Sequence, residues 1–311
     1  MSEAATMAVT TGIERRNERL NNAPSGNRAK RRLSRTAKYV ILLFFVVIVL
    51  MPVYVLLVTS LKGPSDVSAI TSWRLPSRWP WQAGPDGATG FDNWVTAWNT
   101  LAAPIGRTFL LAIPAAIISA MLGSMNGFVL SRWKFPYANV VFTLILFGMF
   151  IPYQAIMVPL VQMKTSLGMP SSIVTLLFVH IIYGLPICTL IFRNYYEGVP
   201  NELMEASRVD GAGMLGSYWR IILPLSLPGF VVTIIWQFTS AWNDYLFALF
   251  LSDANQGPVS LSLVNLSQGA QLSNYGASMA GALIASLPTL LVYIILGKYF
   301  IGGLMSGSVK S

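Results

Sequence analysis

The chain has 311 residues, 54% of them hydrophobic and only 11% charged, and its mean hydropathy is +0.58. Soluble domains carry about 25% charged residues, so this composition excludes a soluble enzyme. A single cysteine, Cys188, excludes a secreted scaffold stapled by internal disulfides. The formal charge of +9 could serve nucleic acid, but nine of the 21 basic residues lie between Arg15 and Lys38, just ahead of the first apolar run. That is the pattern of a cytoplasmic flank under the positive-inside rule. Anionic membrane lipid is therefore an expected contact, and nucleic acid is not.

Residues 1–38 are rich in Arg, Asn and Ser and poor in aromatics, which predicts a disordered basic tail. Tyr39–Leu61 is an uninterrupted apolar run of 23 residues with no cleavage signature after it. It is too long for a signal-peptide core, so it reads as a retained helix. Further runs of spanning length follow at Phe109–Leu130, Asn139–Gln162, Ile173–Phe192, Ile222–Phe250 and Gly276–Gly297. The expectation is an all-α membrane protein with six transmembrane helices, a membrane domain over 39–300 and a short tail over 301–311. With the amino terminus inside, the cytoplasmic segments carry 16 of the Lys and Arg residues and the external ones five. This asymmetry places both termini in the cytoplasm.

Between the first two spans, Gly63 to Arg107 holds Trp73, Trp79, Trp81, Trp94 and Trp98 among Pro and Gly. Such a stretch suits the membrane–water boundary or a cap for a soluble partner, and both readings stay open. Prolines at 52, 114, 152, 159, 186, 224, 228 and 288 fall in or beside spans and predict kinks. Gly123-Ser-Met-Asn-Gly127 predicts a close helix–helix approach.

The membrane interior is nearly free of charge. Asp244, near the outer end of the fifth span, is the one acidic or basic residue in the six runs, and His180 in the fourth is the sole histidine. Ion-coupled carriers keep such groups near the midplane; here the histidine is expected to pack against Tyr183 in a structural role. No H-E-x-x-H, G-x-S-x-G, Cys–His metal spacing or G-x-x-x-x-G-K-[ST] loop is present. The chain is thus expected to be no enzyme and to hold no cofactor. If transport is ATP-driven, ATP and Mg belong to another subunit.

The most informative stretch is the polar island from Pro200 to Pro228, PNELMEASRVDGAGMLGSYWRIILPLSLP. Pro200 suits a helix start, Glu202 and Glu205 suit the positive end of the helix macrodipole, and Asp210-Gly211 supplies the stop. A short helix of about ten residues, roughly 15 Å long, should lie at the cytoplasmic face. It is either a handle for a cytoplasmic partner or an interfacial loop with none.

Glu205-Ala206-Ser207, then Asp210-Gly211-Ala212, then Ile222-Leu223-Pro224 resembles the EAA loop of binding-protein-dependent ABC importer permeases. Ser207 departs from the second alanine usual in that family. The resemblance runs from about Lys38 to Ser311. It takes in Phe91-Asp92-Asn93-Trp94, Trp242-Asn243-Asp244 and the tail Gly303-Leu-Met-Ser-Gly-Ser-Val-Lys-Ser311, and is similar to the smaller maltose-type subunit of the carbohydrate-uptake branch. Arg193-Asn-Tyr-Tyr196 and Gly297-Lys-Tyr-Phe300 resemble glucose/mannose-type permeases. The resemblance implies the type I importer permease fold, a second homologous permease, two cytoplasmic P-loop ATPases and an extracytoplasmic sugar-binding protein. It implies that Glu205, Ala206, Ser207, Asp210, Gly211 and Ala212, with Ser306 and Lys310 of the tail, dock on an ATPase. It also implies that the loop from Leu251 to Tyr275 meets the binding protein, in a bacterial or archaeal plasma membrane.

For a sugar path the fifth span offers Trp236, Gln237, Ser240, Asn243 and Asp244, because pyranoses stack on aromatic rings and present hydroxyls to amides and carboxylates. Gln237 with Ser240, and Ser240 with Asp244, have the spacing of one helical face. Local anchoring by Trp242, with Asp244 pairing or capping nearby, is the competing reading. A secondary carrier and a non-transporting membrane scaffold are the rival functions.

Overall fold

The computed structural model describes residues 26–63, 66–67, 70–133, 135–253, 255–268 and 275–305. All regular structure among them is helical. The chain falls into two units, residues up to Val55 and Leu56–Ser311.

Helix α1 (Gly26–Ser60) begins 13 residues ahead of the expected span. Residues 26–38 are therefore helical, against the expected disorder; residues 1–25 of that tail lie outside the described residues. Arg, Lys, Ala and Leu are good helix formers, and extending an existing helix costs far less than nucleating one. From Tyr39 to Leu57 its residues are apolar all round the helix except at Pro52, as expected of a membrane span.

Helix α2 (Gly90–Arg132) runs 43 residues without interruption, about 65 Å at 1.5 Å per residue. It begins 19 residues ahead of the expected second span, Phe109–Leu130, inside the stretch expected to connect the first two spans. One local contact and one long-range anchor hold the helix there. The Asp92 carboxylate accepts the Thr89 amide at 2.7 Å, and buried Asn93 donates to the carbonyls of Ser60 (3.1 Å) and Lys62 (2.7 Å).

The third span is two helices, α3 (Ala138–Phe150) and α4 (Tyr153–Ser166), bent by 87°. Pro152 has no amide proton and pushes Ile151 into an extended conformation, φ −74° and ψ 119°. Helix α5 (Ile173–Glu197) follows, started by Ser172, whose hydroxyl accepts the Thr175 amide. It packs along α2 through the small residues foreseen. A Cβ on Gly123 would stand 2.3 Å from Cys188 Cβ, and one on Gly127 would stand 2.7 Å from the Arg193 nitrogen. The two backbones touch at this stripe because no side chain separates them.

After the island helix α6 (Asn201–Val209), α7 (Met214–Leu225) and α8 (Leu227–Asn243) form a second broken pair, bent by 76°. The expected fifth span, 222–250, is interrupted again after Asn243, since Asp244 is extended before α9 (Leu246–Leu251). Helices α10 (Val259–Gln268) and α11 (Tyr275–Met305) complete the order. Trp242 fills the core with Leu101, Ala112, Ala116 and Phe238, and its indole donates to the Ala285 carbonyl at 3.0 Å, tying α8 to α11.

Candidate functional site

The polar island folds as a capped handle. Glu202 lies in the first turn of α6 and Arg208 in the last, each matching the sign of the helix end. The stop is a Schellman motif: the Ala212 amide reaches the Ser207 carbonyl, and the Gly211 amide reaches that of Arg208, both at 3.0 Å. It requires the left-handed φ of +77° at Gly211, a conformation other L residues resist. Met204 and Ser207 turn inward and are buried, while Glu205, Ala206, Asp210 and Gly211 are exposed and Ala212 is half-buried. Among the EAA-type residues, then, Ser207 faces the protein, where its hydroxyl pairs with that of Ser217.

Residues from three other helices hold this handle. Arg132, the last residue of α2, donates to the Tyr196 carbonyl in the last turn of α5, to the Val199 carbonyl just beyond it and to the Asn201 side chain at the start of α6. One guanidinium thus satisfies carbonyls that a helix end leaves open and fixes where the island begins. Beneath it Met204 joins Phe128, Phe192, Tyr196, Tyr218 and Ile222 in one core. Ser124 bridges the hydroxyls of Tyr196 (2.5 Å) and Tyr218 (2.9 Å), and Ser226 donates to Tyr196 at 2.9 Å. A cleft of about 440 Å³ opens between Arg132, Trp133, Glu205 and Arg208. Sequence reasoning found the island but none of these supports. The one available signal was Arg132, the first cation after a long apolar run.

The residues considered for a sugar path separate. Trp236, Ser240 and Asn243 are exposed on one face of α8. Gln237 is buried and donates to the His180 carbonyl at 2.8 Å. Asp244 caps α9, accepting the amides of Phe247 and Ala248 at 3.2 Å, and lies 3.3 Å from His180 Nε2. Local pairing and capping therefore describe Asp244. The His180 ring packs edge-on against Phe247 at 5.6 Å, as does Tyr183 at 5.3 Å, so the two rings share a neighbour. Ser306 and Lys310 lie outside the described residues, as do residue 254 and residues 269–274 of the stretch from Leu251 to Tyr275. No cluster of His, Cys, Asp or Glu able to hold a metal occurs among the described residues.

Long apolar helices, two broken spans and a capped polar handle held on the bundle define a multi-pass membrane transport component. The model of the binding-protein-dependent transport system inner membrane component family matches residues 112–304, and this chain belongs to that family. It is 50% identical over 168 residues to a probable ABC transporter permease of Pyrococcus horikoshii, a match over 54% of this chain and 61% of that protein. It is 33% identical over 293 residues to a xylose/arabinose import permease of Haloferax volcanii, covering 88% of this chain and 92% of the relative. Among solved structures, a bacterial ABC transporter that imports the acidic polysaccharide alginate superposes with a TM-score of 0.70 at 21% identity, covering 87% of this chain and 98% of that one. The expected importer-permease fold is borne out, as is a transport rather than an enzymatic role.

Proposed function

We propose that this chain is one permease of an ATP-driven sugar importer, paired with a second homologous permease, two cytoplasmic P-loop ATPases and an extracytoplasmic sugar-binding protein. The observation that carries the reading is the island. Helix α6 is held from behind by Arg132 and Met204, yet presents Glu205, Ala206, Asp210 and Gly211 to solvent. A short helix fixed on one side and bare on the other transmits a push without absorbing it, which is what an ATPase that closes on ATP requires. Both termini are cytoplasmic in this reading, and Ser306 and Lys310 contact the ATPases. ATP and Mg act on that partner.

Substrate selection is assigned to the exposed face of α8, with Trp236 stacking on a sugar ring and Ser240 and Asn243 meeting hydroxyls, while Gln237 and Asp244 support that helix from inside. A sugar of the glucose/mannose type is proposed on the two tetrapeptides around Arg193 and Gly297. The pentose permease among the relatives makes xylose and arabinose the competitors. Mild-detergent purification from the native membrane is expected to bring down a second permease and a P-loop ATPase, with the ATPase lost in Glu205→Lys. Uptake of labelled glucose, mannose, xylose and arabinose then orders the substrates. A homo-oligomer free of ATPase would reject the importer.

A further inference from the structure

Two of the chain's helix breaks converge on a single turn of α5. The first is Ile151-Pro152 between α3 and α4; the Tyr183 hydroxyl donates to the Ile151 carbonyl at 3.0 Å. The second is Asp244-Tyr245 between α8 and α9; His180, three residues before Tyr183, places Nε2 at 3.3 Å from Asp244 Oδ2. Phe247 of α9 fills the space between, 5.6 Å from the His180 ring, 5.3 Å from Tyr183 and 5.7 Å from Tyr153, the first residue of α4. The His180 and Asp244 side chains are only 4% and 10% exposed, and His180 lies seven residues into α5, about 10 Å along its axis. Polar groups placed this deep are costly unless they do something for the membrane domain.

Each break needs a partner, because an interrupted helix leaves backbone groups that lipid cannot satisfy. At the first break Tyr183 takes the Ile151 carbonyl; at the second the Asp244 carboxylate takes the Phe247 and Ala248 amides, and His180 stands against that carboxylate, while one aromatic side chain wedges against both. Neither break can then straighten or swing without moving the other.

We propose that His180 and Tyr183 position the two broken spans as one unit during transport, with the His180–Asp244 contact as the joint. His180 is a positioning residue; it need not touch the sugar. The proposal rests on the importer reading for its role in transport, but the joint itself is testable without any transport.

The first test is amide exchange on the purified full chain with its partners. Tyr183→Phe removes only the hydroxyl at the first break and keeps the ring against Phe247. It should speed exchange at Phe247 and Ala248, beyond the second break, at least fivefold; acceleration confined to residues 151–156 would overturn the proposal. The second test is sugar moved per ATP hydrolysed in vesicles reconstituted with the whole importer. His180→Asn and Asp244→Asn should each lower that ratio at least fivefold, and the double variant should fall no further than either. A merely structural role would lower yield and leave the ratio at its wild-type value, and independent, multiplying losses would equally overturn the joint. Wild-type vesicles that show no ATP-driven uptake would reject the importer reading while the exchange test still decides the joint.

Discussion

Removing Arg132 tests how firmly the island is attached. Its guanidinium donates to three acceptors, two of them the Tyr196 carbonyl in the last turn of α5 and the Val199 carbonyl just beyond it. A hydrogen bond to a charged group contributes about 1.5–3 kcal/mol net. The third acceptor belongs to exposed Asn201, where water replaces it readily. Counting the two carbonyls at the low end gives about 3 kcal/mol, on the order of a hundredfold in the opening of the island. Arg132→Ala should therefore raise amide exchange within α6, at residues 204–210, about a hundredfold, while α2 and α5 away from their ends keep wild-type protection. Sugar uptake should fall at least tenfold with the chain still in the membrane. Arg132→Lys should recover at most a fraction, because a single ammonium cannot reproduce a planar fork that reaches three acceptors. Exchange in α6 within threefold of wild type for Arg132→Ala would refute the attachment.

Other substitutions test separate links. Gly211→Ala forces a Cβ into a φ of +77° and should cost about 1–2 kcal/mol, read as weaker ATPase co-purification, with Gly211→Asp abolishing uptake but not insertion. Gly123→Leu drives side-chain atoms into Cys188 and its backbone; overpacking of this kind costs at least 1–3 kcal/mol and should lower the thermal midpoint in detergent and expose Cys188 to maleimide. Lys62, whose ammonium donates to Thr71 (2.6 Å) and Ser72 (3.1 Å), is held below its usual 10.5 by burial, with Asp66 pulling the other way. The folded loop then releases this proton before the unfolded chain does, so the Lys62 contribution to stability should rise with pH through the window ending near 10.5. Exchange in residues 59–72, corrected for intrinsic rates and compared with Lys62→Met, reads that slope.

Composition and apolar runs were enough for the membrane class, and the island was legible because Pro200, Asp210-Gly211 and the acidic first turn are local signals. Three features were not legible, each for a physical reason. The amino-terminal half of α2 carries Asn93, Thr96, Asn99 and Pro104, and it is helical because Asn93 is spoken for by carbonyls more than 30 residues away. Prolines announce kinks but not their size; the bend at Pro152 is 87°, and the Ile151 carbonyl there is taken by Tyr183, 32 residues beyond Ile151. The supports of the island join Ser124 to Tyr196 and Tyr218 across 72 and 94 residues, and nothing in any one segment announces them. Local chemistry is written in short stretches, whereas the groups that hold it in place are distributed along the chain.

Gln237 shows what that difference means for mechanism. By residue type and spacing it belongs with Ser240 as a sugar ligand. In the fold it faces α5, where Pro186 cannot donate to the Ile182 carbonyl and crowds the turn before it. The neighbouring carbonyls are taken by other helices: Gln237 donates to His180 at 2.8 Å and Ser119 of α2 to Ile181 at 3.3 Å. Gly184 leaves the room, since a Cβ there would stand 2.5 Å from the Gln237 amide nitrogen. The amide therefore ties α8 to the turn of α5 just before Pro186. Gln237→Leu keeps the volume and loses the bond, at a cost of about 1 kcal/mol. Its expected signature is a thermal midpoint lower by a few degrees with the apparent KM for sugar within twofold of wild type, whereas Trp236→Ala on the exposed face should raise KM. Gly184→Ala reaches the same contact from the other side and should reproduce the Gln237→Leu phenotype. A KM raised more than fivefold by Gln237→Leu at an unchanged midpoint would put this side chain on the sugar and overturn the argument.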